Sequence, residues 1–448
     1  MASVLSQTLK DVLQYSKSAF GLFVLTAFIF SSFLLINQTA QAQLICPERA
    51  IIQITDVMDS ADVNAPSINA DGTRTVFDSD GDLLGQSGGN NQVYLYDSNT
   101  NQLTQITPAS SSSANASINA DGTLIALGSD MNINGGNPDG NDEIFLLDTT
   151  TGIFTQITFT VGASNFGASI NADGTRIAFN SNGNINGVNV GGNQEIYLFD
   201  TMTSTFTQVT NEVVGASVNP SINADGTRIA FDSPADINGG NPEGNREVYL
   251  YDTSTMLFTQ ITSDTSEDSR HPSINANGTR IAFDSTADIN GGNPEGNREV
   301  YLYNTTTGMI SQITSEPAGF SGESSINADG TRIAFESSAD INGGNPDGNT
   351  EVYIFDTIAG VFTQITDQQS GDSFSPALNA DGTRIAFDST SDLTGDNPDE
   401  HCQLFIQTCF DPNAPSTVPT LSEWGLIAMA SILGIVGFMV ARRRKVTA

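Results

Sequence analysis

Basic side chains are scarce in this 448-residue chain, which has 16 Lys and Arg against 51 Asp and Glu and a formal net charge of -35. Binding a phosphate backbone needs clustered Lys and Arg, so a nucleic-acid partner is excluded. The basic residues are also unevenly placed. Lys10 and Lys17 lie near the start, Arg442, Arg443, Arg444 and Lys445 near the end, and ten Arg with no Lys stand between Ser18 and Ala441. That stretch holds fifty acids, a balance of about -40, and such a body should gain stability from divalent ions that relieve its self-repulsion. The only histidines, His271 and His401, fall in different segments without counterparts, which argues against a His-based metal cluster or a Ser-His-Asp relay. No apolar stripe of 3.6-residue period runs through the middle, which excludes a helical solenoid. Its apolar content is nonetheless too high for disorder.

Two long apolar runs sit at the ends. After Lys10 and Lys17 comes Ala19 to Ile36 and then Ala40-Gln41-Ala42, a small-x-small site that predicts a signal peptide over 1–42, with an uncleaved N-terminal anchor as the alternative. Gly425 to Ala441 is 17 residues, about 25 Å as a helix and long enough for a transmembrane span, and the Arg-Arg-Arg-Lys cluster behind it should stay cytoplasmic.

Between them the string Ser-Ile-Asn-Ala-Asp-Gly-Thr begins at Ser67, Ser117, Ser169, Ser221 and Ser325, with close variants at Ser273 and Ala377. The steps are 50 and then 52 residues five times, the mark of a repeat architecture over residues 43–409. One unit, Pro220 to Thr262, reads as four short β-prone runs separated by Gly, Asn, Asp and Pro. Its middle runs, Arg228-Ile229-Ala230-Phe231 and Glu247-Val248-Tyr249-Leu250-Tyr251, are apolar on both faces, so each small sheet must be covered twice. Radial stacking does this, and the fold class is all-β: a seven-bladed propeller with four-stranded blades.

The last unit lacks a fourth run, while Ile51-Ile52-Gln53-Ile54-Thr55 stands alone before the first. The N-terminal strand should therefore complete the last blade and leave no open sheet edge. Antiparallel pairing then sets Cys46 beside Cys409, predicting a disulfide in an oxidising compartment, with Cys46–Cys402 as the weaker alternative. Residues 410–417 read as a linker to the tail.

The units, with INADGTRIAFDS, GNREVYLYD and a closing QIT, resemble the TolB-type, WD-repeat-like propeller unit. The resemblance covers nearly the whole exported body. It departs in number, seven units where the TolB propeller has six blades, and in lacking a preceding α/β domain, so TolB's role in the cell envelope does not carry over. The tail over 418–448 resembles the IPTL-CTERM protein-sorting signal, with Pro419, Thr420, Leu421, Ser422, Glu423, Trp424 and Gly425 intact and Val418 where that family has Ile. That resemblance implies a membrane sorting protease of exosortase type as partner, an inner-membrane-tethered intermediate and a final place at the surface of a Gram-negative cell.

Chemistry is thin. Gly319-Phe320-Ser321-Gly322-Glu323 lacks the second Gly of a nucleophile elbow and reads as a loop. The acidic loop between the second and third runs repeats Asp236, Asn238 and Glu247, then Asp288, Asn290 and Glu299, then Asp340, Asn342 and Glu351. Oxygens at positions 1, 3 and 12 resemble a calcium loop, but Gly at position 5 and Asn at position 6 depart from it. The favoured reading is a turn whose Asn and Asp bond their own backbone, with calcium, the one candidate cofactor, as the alternative. The loops joining units vary instead, and Phe166, Arg270, His271, Phe320 and Phe374 on that rim are the candidate binding residues. The favoured function is a non-catalytic binding or structural module for an envelope protein or glycan. The alternative is a secreted propeller-type hydrolase or lyase with a channel active site, which the near-identity of the repeats disfavours.

Overall fold

The computed structural model describes residues 44–410 except 48–49, 58–61, 86–88, 188 and 190. The signal segment 1–42, the linker beyond Phe410 and the tail with its span 425–441 lie outside the described residues.

Seven antiparallel four-stranded sheets form the body, six of them in simple sequence order. In the unit that starts at Ser221 the strands are Val218–Ile222, Arg228–Ser233, Glu247–Asp252 and Leu257–Gln260. The first strands of successive units adjoin one another in a closed ring, so they line the central channel. The second and third strands are buried on both faces, whereas the fourth alternates exposed and half-buried residues at the outer edge. Apolar residues gather between blades: Ala178, Ile196 and Leu198 of one unit pack with Ile229, Phe231 and Tyr249 of the next. The Tyr249 ring stacks on Phe231 at 5.7 Å between centroids, and its hydroxyl donates to Ala235 O at 2.9 Å, so the buried phenol is satisfied.

Every residue of the repeated string has a task at the joint between blades. The backbone N–H of each alanine donates to the carbonyl of the alanine in the next unit, from Ala70 to Ala120 and onward until Ala380 returns to Ala70. Ser221 Oγ accepts the Ile274 N–H of the following blade at 3.1 Å. Asn223 Oδ1 accepts Arg228 N, and Asp225 takes both N–H and O–H of Thr227, which tightens the turn and holds its carboxyl below the usual range. Gly226 stands at φ 70°, and a Cβ there would meet Arg176 Cδ of the preceding unit at 2.5 Å, so conformation and space both demand glycine.

That approach exists because the arginine ending each string staples neighbouring blades: Arg228 Nη1 donates to Gly278 O at 2.7 Å and to Thr305 Oγ1 at 3.2 Å. Arg74, Arg176, Arg280 and Arg384 do the same for their neighbours. Most of the body's few cations are thus spent on architecture. Leu124 holds the equivalent place in the second unit, where the staple is missing. Arg228→Ala should therefore destabilise by roughly 1–3 kcal/mol, and Leu124→Arg should add about 1 kcal/mol, both read as shifts in denaturant midpoint at constant slope.

The ring closes as the sequence requires. Ile51–Gln53 pairs with Gln403–Thr408 as the outer strand of the last blade, with Ile52 opposite Ile406. Cys46 and Cys409 are disulfide-bonded, and Cys402 is buried and free, which removes the Cys46–Cys402 alternative. The body also extends one residue beyond the expected boundary, because Phe410 exchanges backbone hydrogen bonds with Ile45.

Candidate functional site

Each innermost strand carries a bulge where pairing with the second strand slips, as between Arg270 and Ser273. The bulge residue lies at positive φ, near 50°, at Ala65, Asn115, Asn219, His271, Glu323 and Ser375, with Gly167 in the remaining unit. These residues stand two before the Ser of the repeated string, close to the inter-unit loops. At the same end, the second strand contributes Asp78, Gly128, Asn180, Asp232, Asp284, Glu336 and Asp388, and the start of the third contributes Asn91, Asp142, Gln194, Arg246, Arg298, Thr350 and Cys402. The bulge residue and the residue before the third strand vary between units, whereas the second-strand place is Asp in four of the seven.

The fifth and sixth units bring unlike charges together. His271 Nδ1 lies 3.0 Å from Asp284 Oδ1 and 3.2 Å from Glu323 Oε1. Arg298 pairs with Glu336 at 3.1 Å, stands 3.8 Å from Glu323 and covers the Phe320 ring at 4.9 Å. Arg246 and the fully buried Asp232 pair at 2.5 Å, and Asp232 Oδ1 also accepts the His271 N–H across the blade boundary. Likewise Glu336 Oε2 accepts Ser375 N, so these buried carboxylates anchor the next blade's bulge.

Burial sets the protonation states here. It works to lower the His271 pKa, but the hydrogen bond and charge of Asp284, helped by Glu323 and Asp232, outweigh it and hold the imidazolium above its ordinary range. Burial pushes Glu323 and Glu336 upward, and Asp388 up to about 7 with the charge of Glu336 adding to the effect. Cys402 Sγ donates to Val63 O at 3.3 Å and faces Asp388. The mouth therefore offers carboxyl acceptors, two guanidinium donors, an imidazolium and one aromatic face within a few ångströms.

The rim residues read from sequence divide. His271 and Phe320 join the cluster. Arg270 pairs in the open with Asp268 at 2.5 Å, while Phe166 and Phe374 stand opposite Asn180 and Asp388 at their own blades' mouths. The expectation that the repeats lack asymmetry is corrected: Asp232, Arg246, Asp284, Arg298, Glu323, Glu336 and Asp388 were missed. Glu323 and Glu336 were findable as residues that no other unit carries at their places, whereas Asp232, Asp284 and Asp388 share one residue type and carry no such signal. Ser321 of the rejected elbow is buried against Ser337, and Ser321, Gly322 and Glu323 stand in the strand Ser321–Ile326, not in the expected loop.

The residues named for calcium are not drawn to one point. Asp236 Oδ1, Asp288 Oδ1 and Asp340 Oδ1 accept the N–H of Asn241, Asn293 and Asn345 in their own loops. Asn238 and Asn290 donate to Phe258 O and Ile310 O, and Asn342 sits at positive φ. Glu247, Glu299 and Glu351 are buried at the head of the third strand. Among the described residues no three His, Cys, Asp or Glu side chains form a set that could hold an ion. A cavity of about 580 Å³ lined by Ile157, Phe159, Val161, Ile185 and Phe206 lies between the second and third units, apart from the charged cluster.

Residues 417–444 match the model of the IPTL-CTERM motif. The chain ends in a sorting signal. A signal of this kind directs export and sorting to the cell surface and implies processing by a sorting protease. No curated protein matches the chain. Among solved structures it is similar to an oligogalacturonate lyase from Vibrio parahaemolyticus, at 14% identity and a TM-score of 0.57 over 80% of this chain and 93% of that one. An oligogalacturonate lyase in complex with manganese gives 16% and 0.56 over 81% and 93%. TolB from Acinetobacter baumannii gives 17% and 0.40 over 78% and 79%. At these identities the lyases share the fold alone.

Proposed function

We propose that this chain is an exported, surface-sorted propeller that acts as a non-catalytic binding module, taking a polyhydroxylated envelope glycan at the mouth of its channel. One observation carries the reading: His271, Glu323 and Glu336, which no other unit carries at their places, meet with Arg298 at that end of the channel. Carboxylates and guanidinium groups satisfy sugar hydroxyls as paired acceptors and donors, and Phe320 holds the Arg298 guanidinium in place by covering one side of it. A protein partner uses the same groups less well, since they sit inside the mouth and not on a broad flat rim. In this reading a Gram-negative envelope supplies both the sorting protease and the glycan.

Glycan-array screening with the full-length chain in detergent, followed by titration calorimetry on a hit, tests it. Arg298→Ala and His271→Ala should each weaken binding roughly tenfold or more, the loss of a hydrogen bond to a charged group. Unchanged affinity in both variants would sink the channel as the site.

The lyase or hydrolase alternative is favoured by His271 held between Asp284 and Glu323, an arrangement suited to proton transfer, and by the fold shared with the oligogalacturonate lyases. Incubation with oligogalacturonate decides: unsaturated product that disappears in His271→Ala would replace the binding reading with the catalytic one.

A further inference from the structure

Every third strand opens on a buried acid or its amide: Gln92, Glu143, Glu195, Glu247, Glu299, Glu351 and Gln403. One terminal atom, Oε1, is an acceptor throughout. It takes Thr107 Oγ1 in Gln92, Thr55 Oγ1 and Val57 N in Gln403, and the side-chain amide of Asn193, Asn245, Asn297 or Asn349 in Glu195, Glu247, Glu299 and Glu351.

The other terminal atom separates the units. Gln92 Nε2 donates to Ser111 O at 2.5 Å, and Gln403 Nε2 to Val57 O at 3.0 Å. Glu143 Oε2 accepts Asn165 Nδ2 at 3.1 Å. After the remaining four glutamates the place of Asn165 is held by Ser217, Ser269, Ser321 or Ser373, and each hydroxyl is engaged with a serine of its own sheet. In those four units alone, Oε2 is buried without a partner. A buried carboxylate oxygen with no donor is costly, and two units fill the same position with an amide nitrogen, which is itself a donor.

We propose that Glu195, Glu247, Glu299 and Glu351 are neutral carboxylic acids in the folded propeller, Oε2 carrying a hydrogen where Gln92 and Gln403 carry theirs. Glu143, met by Asn165, keeps its charge. The ionised neighbours acting on the four are acidic: Glu212 on Glu195, Asp264 on Glu247, Glu316 and Glu295 on Glu299, and Asp367 on Glu351. Burial is the largest influence and raises all four, Glu247 to about 7 and Glu299 to about 6, against the opposing hydrogen bonds of Thr210, Thr262, Thr314 and Thr366.

An unfolded glutamate titrates near 4.5, so the folded state binds more protons above that value. Stability is then whole at acid pH and drains as pH rises through the folded values. Each acid lowers the folding equilibrium constant about tenfold per pH unit between its two pKa values.

The test is denaturant unfolding of the full-length chain in detergent from about pH 4.5 to 7.5. The variant combining Glu195→Gln, Glu247→Gln, Glu299→Gln and Glu351→Gln should have a shallower pH slope than the wild type, the remainder coming from Asp78 and Asp388, and be the more stable protein at neutral pH. Glu143→Gln should instead destabilise, because its new amide meets the Asn165 amide donor to donor. Infrared spectra of the wild type should show protonated-carboxyl bands at pH 5 that are missing from the fourfold variant. An unchanged slope, missing bands, or failure of the fourfold variant to fold would overturn the proposal. So would calcium that stabilises the wild type but not the variant, since Oε2 would then be a cation ligand.

Discussion

Replacing Cys46 and Cys409 with serine is expected to lower the unfolding free energy of the propeller by about 3–5 kcal/mol. The two cysteines are 363 residues apart, so the cross-link removes a very large loop from the unfolded ensemble. It also guards the weakest joint of the ring. The outer strand of the last blade is only Ile51–Gln53, supported by the Ile45–Phe410 bridge and by Thr55 and Val57 on the side chain of Gln403. With the disulfide gone, this strand should fray before the remainder unfolds, giving early proteolysis near the N-terminal side of the body. Cys402→Ser is the control: that thiol is buried, its pKa pushed up to about 12, and it forms no cross-link, meeting the first blade only through its Sγ–H on Val63 O, a bond that a serine hydroxyl can replace. Equal denaturant midpoints for the double serine variant and the wild type would show that strand pairing alone closes the ring.

The architecture was legible because each blade needs the same joints. A turn that must place Asp225 under Thr227, leave Gly226 without a side chain and aim Arg228 at the next blade tolerates little variation, so it recurs and gives the period away. Closure was legible for the complementary reason: a missing fourth run and an orphan N-terminal run have only one way to satisfy each other. The site was harder to see. His271, Asp284 and Arg298 are 13 and 14 residues apart along the chain, and nothing local links them until three strands bring the same end of each to one mouth. Periodicity displays what the units share, whereas His271, Glu323 and Glu336 of the charged cluster are not repeated. The acidic loops left two readings open for a related reason. Asp236 and Asn241 are regular in spacing because they close a turn, and a self-bonded turn uses the same oxygen-rich residues as a hard-cation site.

The largest effect on the protein's fate should come from two residues outside the propeller. Pro419→Ala together with Trp424→Ala alters the IPTL-CTERM match over 417–444 while leaving the apolar run 425–441 and the Arg442 to Lys445 cluster untouched. Membrane anchoring by hydrophobicity depends on the run and its positive flank alone, so an anchoring function should survive the change. Recognition by a sorting protease depends on the motif, so processing near Val418 to Trp424 should stop and the unprocessed chain should accumulate at the inner membrane. Mass spectrometry of the mature protein and surface labelling of intact cells separate the two. The wild type should be shorter and surface-exposed, the double variant full-length at its C-terminus and shielded. Identical mass and exposure in both would mean that the tail serves only as a tether, and a binding mouth held at the inner membrane would have to find its glycan in the periplasm.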